Sequence, residues 1–292
     1  MARRGRRGGR AGGGTEGRRM TRLARHGAAL LGGQLWNWHP LQGGDLAQTL
    51  LVYLNDGRRV VVKNGPDPRV EAAMLRALGQ TGAPVPDVLA VDEDALVLQY
   101  LPVDGPLATC WGELGRVLAQ VHTGRPPDGA TRYGWGTDYA LGNVAVPNAW
   151  TDTWPRFWAE RRIGIHLEHV GIDLARQLER LMHRLPELLP ATPPPSLLHG
   201  DLWGGNVLVH ARRVTGLIDP CCCYGHAEVD LATAGVFDRP PAAFFMAHGP
   251  LEAGYEARFA IYRLWIALVH LRLFGATYRP LVAHYLDGAG VG

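Results

Sequence analysis

One run of residues constrains this 292-residue chain more than any other: His199-Gly200-Asp201-Leu202-Trp203-Gly204-Gly205-Asn206, followed by Ile218-Asp219-Pro220. Between them Val207-Leu208-Val209-His210 and Val214-Thr215-Gly216-Leu217-Ile218 flank a turn at Ala211-Arg212-Arg213, so a β-hairpin ending at Asp219 is predicted. Asp201 and Asn206, five residues apart, have the offset of a phosphoryl-transfer loop. There the carboxylate accepts a hydroxyl proton and the amide holds Mg²⁺, with a further carboxylate, here Asp219, as second metal ligand. Mg²⁺ takes oxygen ligands and keeps waters and phosphates for its remaining positions, so one amide oxygen and one carboxylate suffice. A lone His-Gly-Asp would be an ordinary turn; the joint spacing gives it weight. His199 reads as a structural hydrogen-bonder of the loop rather than as a catalyst.

Lys63 is the only lysine of the chain. A sequence that uses arginine for all its other cations keeps a lysine where a planar guanidinium fork will not serve. It ends the β-branched run Arg59-Val60-Val61-Val62, and Glu71 stands eight residues on, in a helix opened by Asp67-Pro68. A Lys63 to Glu71 ion pair would hold the ammonium over the α/β phosphates of ATP. Upstream, Gly43-Gly44-Asp45 precedes the strand Thr49 to Leu54, which Asn55-Asp56-Gly57 turns into the Lys63 strand. That loop suits phosphates approached by backbone N–H groups. Ala95-Leu96-Val97-Leu98 reads as a buried strand passing into Gln99-Tyr100-Leu101-Pro102, a hinge where backbone groups of Gln99 and Leu101 would bond adenine.

The pattern then becomes helical. Leu114, Val117, Leu118 and Val121 recur at helical spacing within Trp111 to His122, and helices are expected over Pro155 to His169, Asp173 to Leu189 and Tyr255 to Phe274. The expected fold is therefore α+β and bilobal, like a protein kinase. Residues 26–101 form a small β-rich, ATP-binding N-lobe, and residues 102–292 a larger, mostly helical C-lobe with the catalytic and acceptor sites. Residues 1–25 hold nine Arg and one Glu, a local charge of +8, against +3 for the whole chain. This Arg/Gly-rich segment is expected to be a disordered tail, and Met20 offers an alternative start. It has no apolar core of a signal peptide, and its lack of interleaved aromatics argues against a nucleic-acid partner. The most apolar stretch, near Leu264 to Leu273, is broken by His270 and Arg272, so no membrane span is expected. Four cysteines, three of them adjacent at Cys221, Cys222 and Cys223, make neither a disulfide framework nor a zinc site. They read as small buried residues of a reducing, cytoplasmic protein, with a redox role next to Asp219 left open. The oligomeric state is not readable.

The residues also carry a family resemblance. The catalytic run with its Trp203, Asp219-Pro220 with Tyr224-Gly225-His226 and Glu228 to Ala232, Asn148 to Arg162, and Leu273-Phe274-Gly275 with Tyr278 resemble the fructosamine kinase (ketosamine 3-kinase) family, a branch of the aminoglycoside/choline kinase-like superfamily. The likeness runs from about Gly43 to Leu286. The chain departs from it at Cys221 to Cys223 and in the loop at Gly43-Gly44-Asp45, which is hard to align. The resemblance implies ATP- and Mg²⁺-dependent phosphorylation of a sugar hydroxyl on a ketoamine, free or protein-bound, which destabilises the adduct and returns an amine. It makes Asp201 the base and places Trp203, Tyr224 and His226 near the substrate. Trp203 would stack on the sugar or pack under the loop; His226 and Glu228 would support the substrate region or merely start a helix. Rival functions are a kinase for aminoglycosides or amino alcohols, disfavoured by the few acids after Arg239, and a catalytically silent nucleotide-binding scaffold.

Overall fold

The structure, a computed structural model, describes residues 15–41 and 47–291. Helix α1 (Thr15–Leu30) precedes β1 (Leu35–Pro40), β2 (Thr49–Leu54) and β3 (Arg59–Lys63); helix α2 (Pro68–Gln80) then leads to β4 (Val88–Val91) and β5 (Leu96–Gln99). The five strands make one antiparallel sheet in the order β1-β2-β3-β5-β4. Side chains alternate across a strand. Val60 and Val62 of β3 and Val97 of β5 accordingly meet Leu23, Ala24 and Ala28 of α1 on one face. Val61, Leu96 and Leu98 meet Ala72 and Leu75 of α2 on the other. Lys63, one step past Val62, falls on the α2 side by the same alternation. Helix α2 starts where its sequence says: the Asp67 carboxylate accepts the Arg69 and Val70 amides at 3.0 and 3.1 Å, and Pro68 opens the first turn.

Helix α1 corrects the expectation of a disordered tail over residues 1–25, since from Thr15 onward the segment is helical. Met20, Leu23, Ala24, Gly27 and Ala28 lie at i, i+3, i+4, i+7 and i+8, an apolar stripe that the surrounding arginines obscure. The stripe packs on the sheet so closely that a Cβ on Gly27 would stand 2.5 Å from Val62 Cγ2. Residues 1–14 lie outside the described residues.

Beyond Gln99 the chain enters a second lobe. It comprises α3 (Trp111–Val121), the hairpin β6 (Tyr139–Leu141) and β7 (Val144–Val146), α4 (Trp154–Trp158), α5 (Ile172–Leu188), β8 (Ser196–Leu198), the hairpin β9 (Val207–His210) and β10 (Arg213–Leu217), β11 (Cys223–Gly225), and helices α6 (Glu228–Thr233), α7 (Ala242–His248), α8 (Tyr255–Phe274) and α9 (Arg279–Gly288). The fold is α+β and bilobal, of the protein-kinase type. Helices α3, α5 and α8 form where expected; α3 and α5 are amphipathic, whereas α8 is buried nearly all round from Arg258 to Val269. The helix expected over Pro155 to His169 does not run through: after Trp158 it widens into a π turn and ends in a 3₁₀ stretch. The wider turn accommodates Arg162, which is buried and donates to the Pro147 carbonyl at 2.9 Å and to Asn148 Oδ1 at 2.8 Å. Among the described residues no helix is long and apolar enough to cross a membrane.

Candidate active site

The loop that carries Asp201 begins where β8 ends. Gly200 has φ +82°, and a Cβ there would lie 1.9 Å from the Cys221 carbonyl oxygen, so only glycine fits. The loop's backbone donors then need partners, because buried amides cannot go unpaired. Asp230 supplies them. Its fully buried carboxylate accepts the amides of His199 (2.7 Å) and Gly200 (2.9 Å) and the imidazole of His122 (3.1 Å). Burial alone would raise its pKa; the His122 hydrogen bond and charge, with the loop amides, outweigh that and lower it. His199 donates Nε2–H to the Ile218 carbonyl at 3.0 Å and accepts the Asp201 amide on Nδ1 at 3.4 Å, while burial pushes its pKa down, so it remains a neutral pin of the loop.

Asn206 donates Nδ2–H to the backbone carbonyl of Asp201 (2.7 Å) and to its carboxylate (3.2 Å), leaving Oδ1 as a free acceptor. The β9–β10 hairpin turns through Ala211 and Arg212, both at positive φ, as a two-residue turn between right-twisted strands requires. It returns the chain to Asp219, itself left-handed at φ +54°. The Asp219 carboxylate pairs through one oxygen with the Lys63 ammonium, which also contacts Glu71 at 2.9 Å. The second Asp219 oxygen accepts nothing among the described residues, so with Asn206 Oδ1 it offers hard oxygen donors that fit Mg²⁺. Burial disfavours the Lys63 charge, but Glu71 and Asp219 outweigh it and raise its pKa. Burial raises the Asp201 carboxyl to about 7; the Asp219 charge adds to this and the Asn206 hydrogen bond opposes it.

These groups share one cavity of about 310 Å³. Lys63, Glu71, Asp201, Asn206 and Asp219 form one wall, while Trp203, Phe237, His270, Phe274 and Tyr278 form an aromatic one. His270 lies 4.7 Å from Phe237, 5.3 Å from Phe274 and 5.1 Å from Tyr278 between ring centroids. Its Nδ1 meets the Ile266 carbonyl at 2.9 Å; a carbonyl only accepts, so Nδ1 carries the proton and Nε2 is left as an acceptor. Among the described residues, Glu71, Asp201 and Asp219 are the acids that line this cavity.

Trp203 packs over Gly205, stands edge-on to Phe237 at 5.9 Å and also lines the cavity. Tyr224 and His226, expected near the substrate, do not line the cavity. Tyr224 is clamped by Trp135 and Trp150, at 5.6 and 6.0 Å. Trp154 donates to the Tyr262 hydroxyl, which in turn donates to His226 Nδ1 at 2.8 Å. Burial and the nearby Arg258 push His226 down to about 4. Glu228, beside it, is paired twice with Arg258 at 2.7 Å. Gln99 and Leu101 are also absent from this cavity. The Gln99 amide donates to the Asp87 carbonyl at 2.9 Å, which leaves its carbonyl as the group to be tested against adenine. Leu101 packs over Gly216 of the β9–β10 hairpin. Gly43 and Gly44 lie outside the described residues. Cys221, Cys222 and Cys223 are buried and their thiol pKa values are raised by that burial, which leaves them inert. Two contributors escape the sequence reading, Asp230 and Tyr139. The first is signalled only by the need of a His-Gly-Asp loop for a buried acceptor.

A family model described as fructosamine kinase matches residues 24–289. The probable ketoamine kinase of Synechocystis sp. is 35% identical over 63% of this chain and 63% of its own length. The probable ketoamine kinase of Vibrio parahaemolyticus is 35% identical over 85% of this chain and 88% of its own length. A crystal structure assigned as a fructosamine-3-kinase from Thermobifida fusca superposes with a TM-score of 0.81 at 30% identity, covering 92% of this chain and 99% of that one.

Proposed function

Because the chain belongs to the fructosamine kinase family and is an ATP-dependent kinase, we propose that it phosphorylates a sugar hydroxyl of a ketoamine. The observation that carries this reading is the cavity in which Lys63, Asp201, Asn206 and Asp219 face an aromatic wall, with Glu71 the one further acid among the described residues that line it. An aminoglycoside carries several ammonium groups and calls for additional carboxylates; a sugar on one amine does not. Residues 26–101 hold the nucleotide and residues 102–292 the acceptor. Backbone groups of Gln99 and Leu101 are retained as the adenine contacts, and the glycines at Gly43 and Gly44 as the phosphate cover.

Asp201 orients the attacking hydroxyl and takes its proton, for which a pKa near 7 is well placed. Lys63, fixed by Glu71, neutralises charge on the phosphates, and Trp203 offers its face to the C–H surface of the sugar. Asn206 and Asp219 would hold Mg²⁺, which when bound neutralises the phosphate oxygens. Transfer of this kind needs positioning and charge compensation rather than covalent chemistry. We assign the reaction to a reducing cytoplasm, on the four free cysteines.

The test is ATP consumption by the purified protein with Mg²⁺, comparing fructosamine- and ribulosamine-type acceptors with an aminoglycoside panel and with Asp201→Asn as control. Turnover of a ketosamine that vanishes in the variant is expected. Turnover of aminoglycosides alone would replace the acceptor assignment.

A further inference from the structure

We infer that Tyr139 is a positioning residue of this kinase, whose hydroxyl latches the second lobe to the Lys63–Glu71 pair of the first. The inference rests on the proposed reading only for its turnover measurement. Both Glu71 oxygens are engaged, and by different lobes: Oε1 contacts Lys63 at 2.9 Å, and Oε2 accepts the Tyr139 hydroxyl at 3.3 Å. The Glu71 side chain is 2% exposed, and among the described residues Oε2 has no other partner. Without the hydroxyl, a buried carboxylate oxygen is orphaned and the carboxylate is free to rotate about its bond to Lys63.

The hydroxyl is held by a stiff mount. Tyr139 opens β6, paired with Val146 of β7, and the next residues Ala140, Leu141 and Gly142 line the cavity. The base of this hairpin is tied where Asn148 donates its amide to the Asp138 carboxylate (2.7 Å) and Nδ2–H to the Thr137 carbonyl (3.1 Å). Arg162 in turn donates to Asn148 Oδ1 at 2.8 Å. A continuous set of contacts thus runs from buried Arg162 through Asn148 and the hairpin to Glu71 and Lys63. Its direction explains the job: α2 could otherwise swing with the first lobe, and Lys63 would leave the phosphates.

The experiment is a double-mutant cycle on nucleotide binding, which needs no acceptor. Calorimetry with the Mg²⁺ complex of a non-hydrolysable ATP analogue is run on the full chain and on Tyr139→Phe, Glu71→Gln and the double variant. Phenylalanine keeps the ring and its packing, so the fold is expected to persist, with a single cooperative thermal transition, lowered by a few degrees, as its check. The Tyr139→Phe change should weaken binding roughly tenfold, the cost of losing a hydrogen bond to a charged group. The double variant should bind no worse than Glu71→Gln alone. In turnover the loss should fall on KM for ATP and leave KM for the acceptor unchanged. Wild-type affinity in Tyr139→Phe, effects that multiply in the double variant, or equal rises in both KM values would overturn the latch. A wild-type chain that binds no nucleotide would overturn the latch and the kinase reading together, whereas tight binding without ketosamine turnover touches only the acceptor assignment.

Discussion

Burial holds the Asp201 carboxyl at about 7, well above the ordinary carboxylate value, with the Asp219 charge adding to it and Asn206 opposing. In the metal-free protein the folded state therefore keeps a proton that the unfolded chain releases near pH 4, and this contribution to stability is lost as pH rises from about 4 through 7. Asp201→Asn removes that dependence. The variant should melt a few degrees above wild type at pH 8, the gap closing toward pH 4, while its turnover falls about a hundredfold or more. Thermal unfolding in chelator at both pH values checks the sign, and a variant less stable at pH 8 would refute it. Lys63 makes a complementary case, being 5% exposed between two carboxylates. Lys63→Arg keeps the charge but forces a longer, planar group into a site shaped for an ammonium, so nucleotide affinity should drop about tenfold or more in calorimetry. Residues of this kind are legible because their meaning is local: a lone lysine at a strand end, or an Asp and an Asn at a fixed offset. Tyr139 and Asp230 are not legible, because their partners lie 68 and about 30 positions away and no spacing announces them.

Elements declare themselves by contrast between two faces, and those without contrast stay hidden. Helices α3 and α5 are long enough for their apolar spacing to register, whereas α6 is buried at every position and so has no polar face to mark it, and α8, buried nearly all round, is marked only by the length of its apolar run. Helix α1 is the opposite case, its narrow stripe of small residues lost among arginines that read as a low-complexity tail. What fixes α1 is shape: Gly27 sits against Val62 where a Cβ would stand 2.5 Å from Cγ2. Gly27→Ala gains helix propensity but wedges the helix off the sheet, so a net loss of about 1–3 kcal/mol is expected in urea unfolding. Val62→Ala costs stability alone by leaving a cavity, yet the pair should be less unstable than the sum of the two, because each change relieves the other's misfit. Strict additivity would mean that α1 does not press on the sheet.

At the scale of the whole molecule, the two lobes are joined by more than the strand at Gln99. Lys63 of the sheet pairs with Asp219 at the end of the β9–β10 hairpin, and Glu71 of α2 accepts from Tyr139 of β6. The order of lobes is legible, since a run of strands followed by a run of helices segregates into two layers. The β6–β7 hairpin that reaches back across the cleft is not, because its two three-residue strands are too short for a period to show. Cross-lobe pairs that also face the cavity tie nucleotide binding to the cooperativity of unfolding. A ligand at about a hundred times its Kd stabilises the folded state by about 2.7 kcal/mol. Addition of the Mg²⁺ complex of an ATP analogue should therefore raise Tm by several degrees, and as one transition rather than two. Chelation of the metal should abolish the gain, and Asp219→Asn should lose most of it, having given up both the proposed metal ligand and the Lys63 pair. If scanning calorimetry instead resolves a ligand-shifted first lobe from an unmoved second one, the cross-lobe pairs do not couple the lobes, and closure over the nucleotide is left to the connection at Gln99 alone.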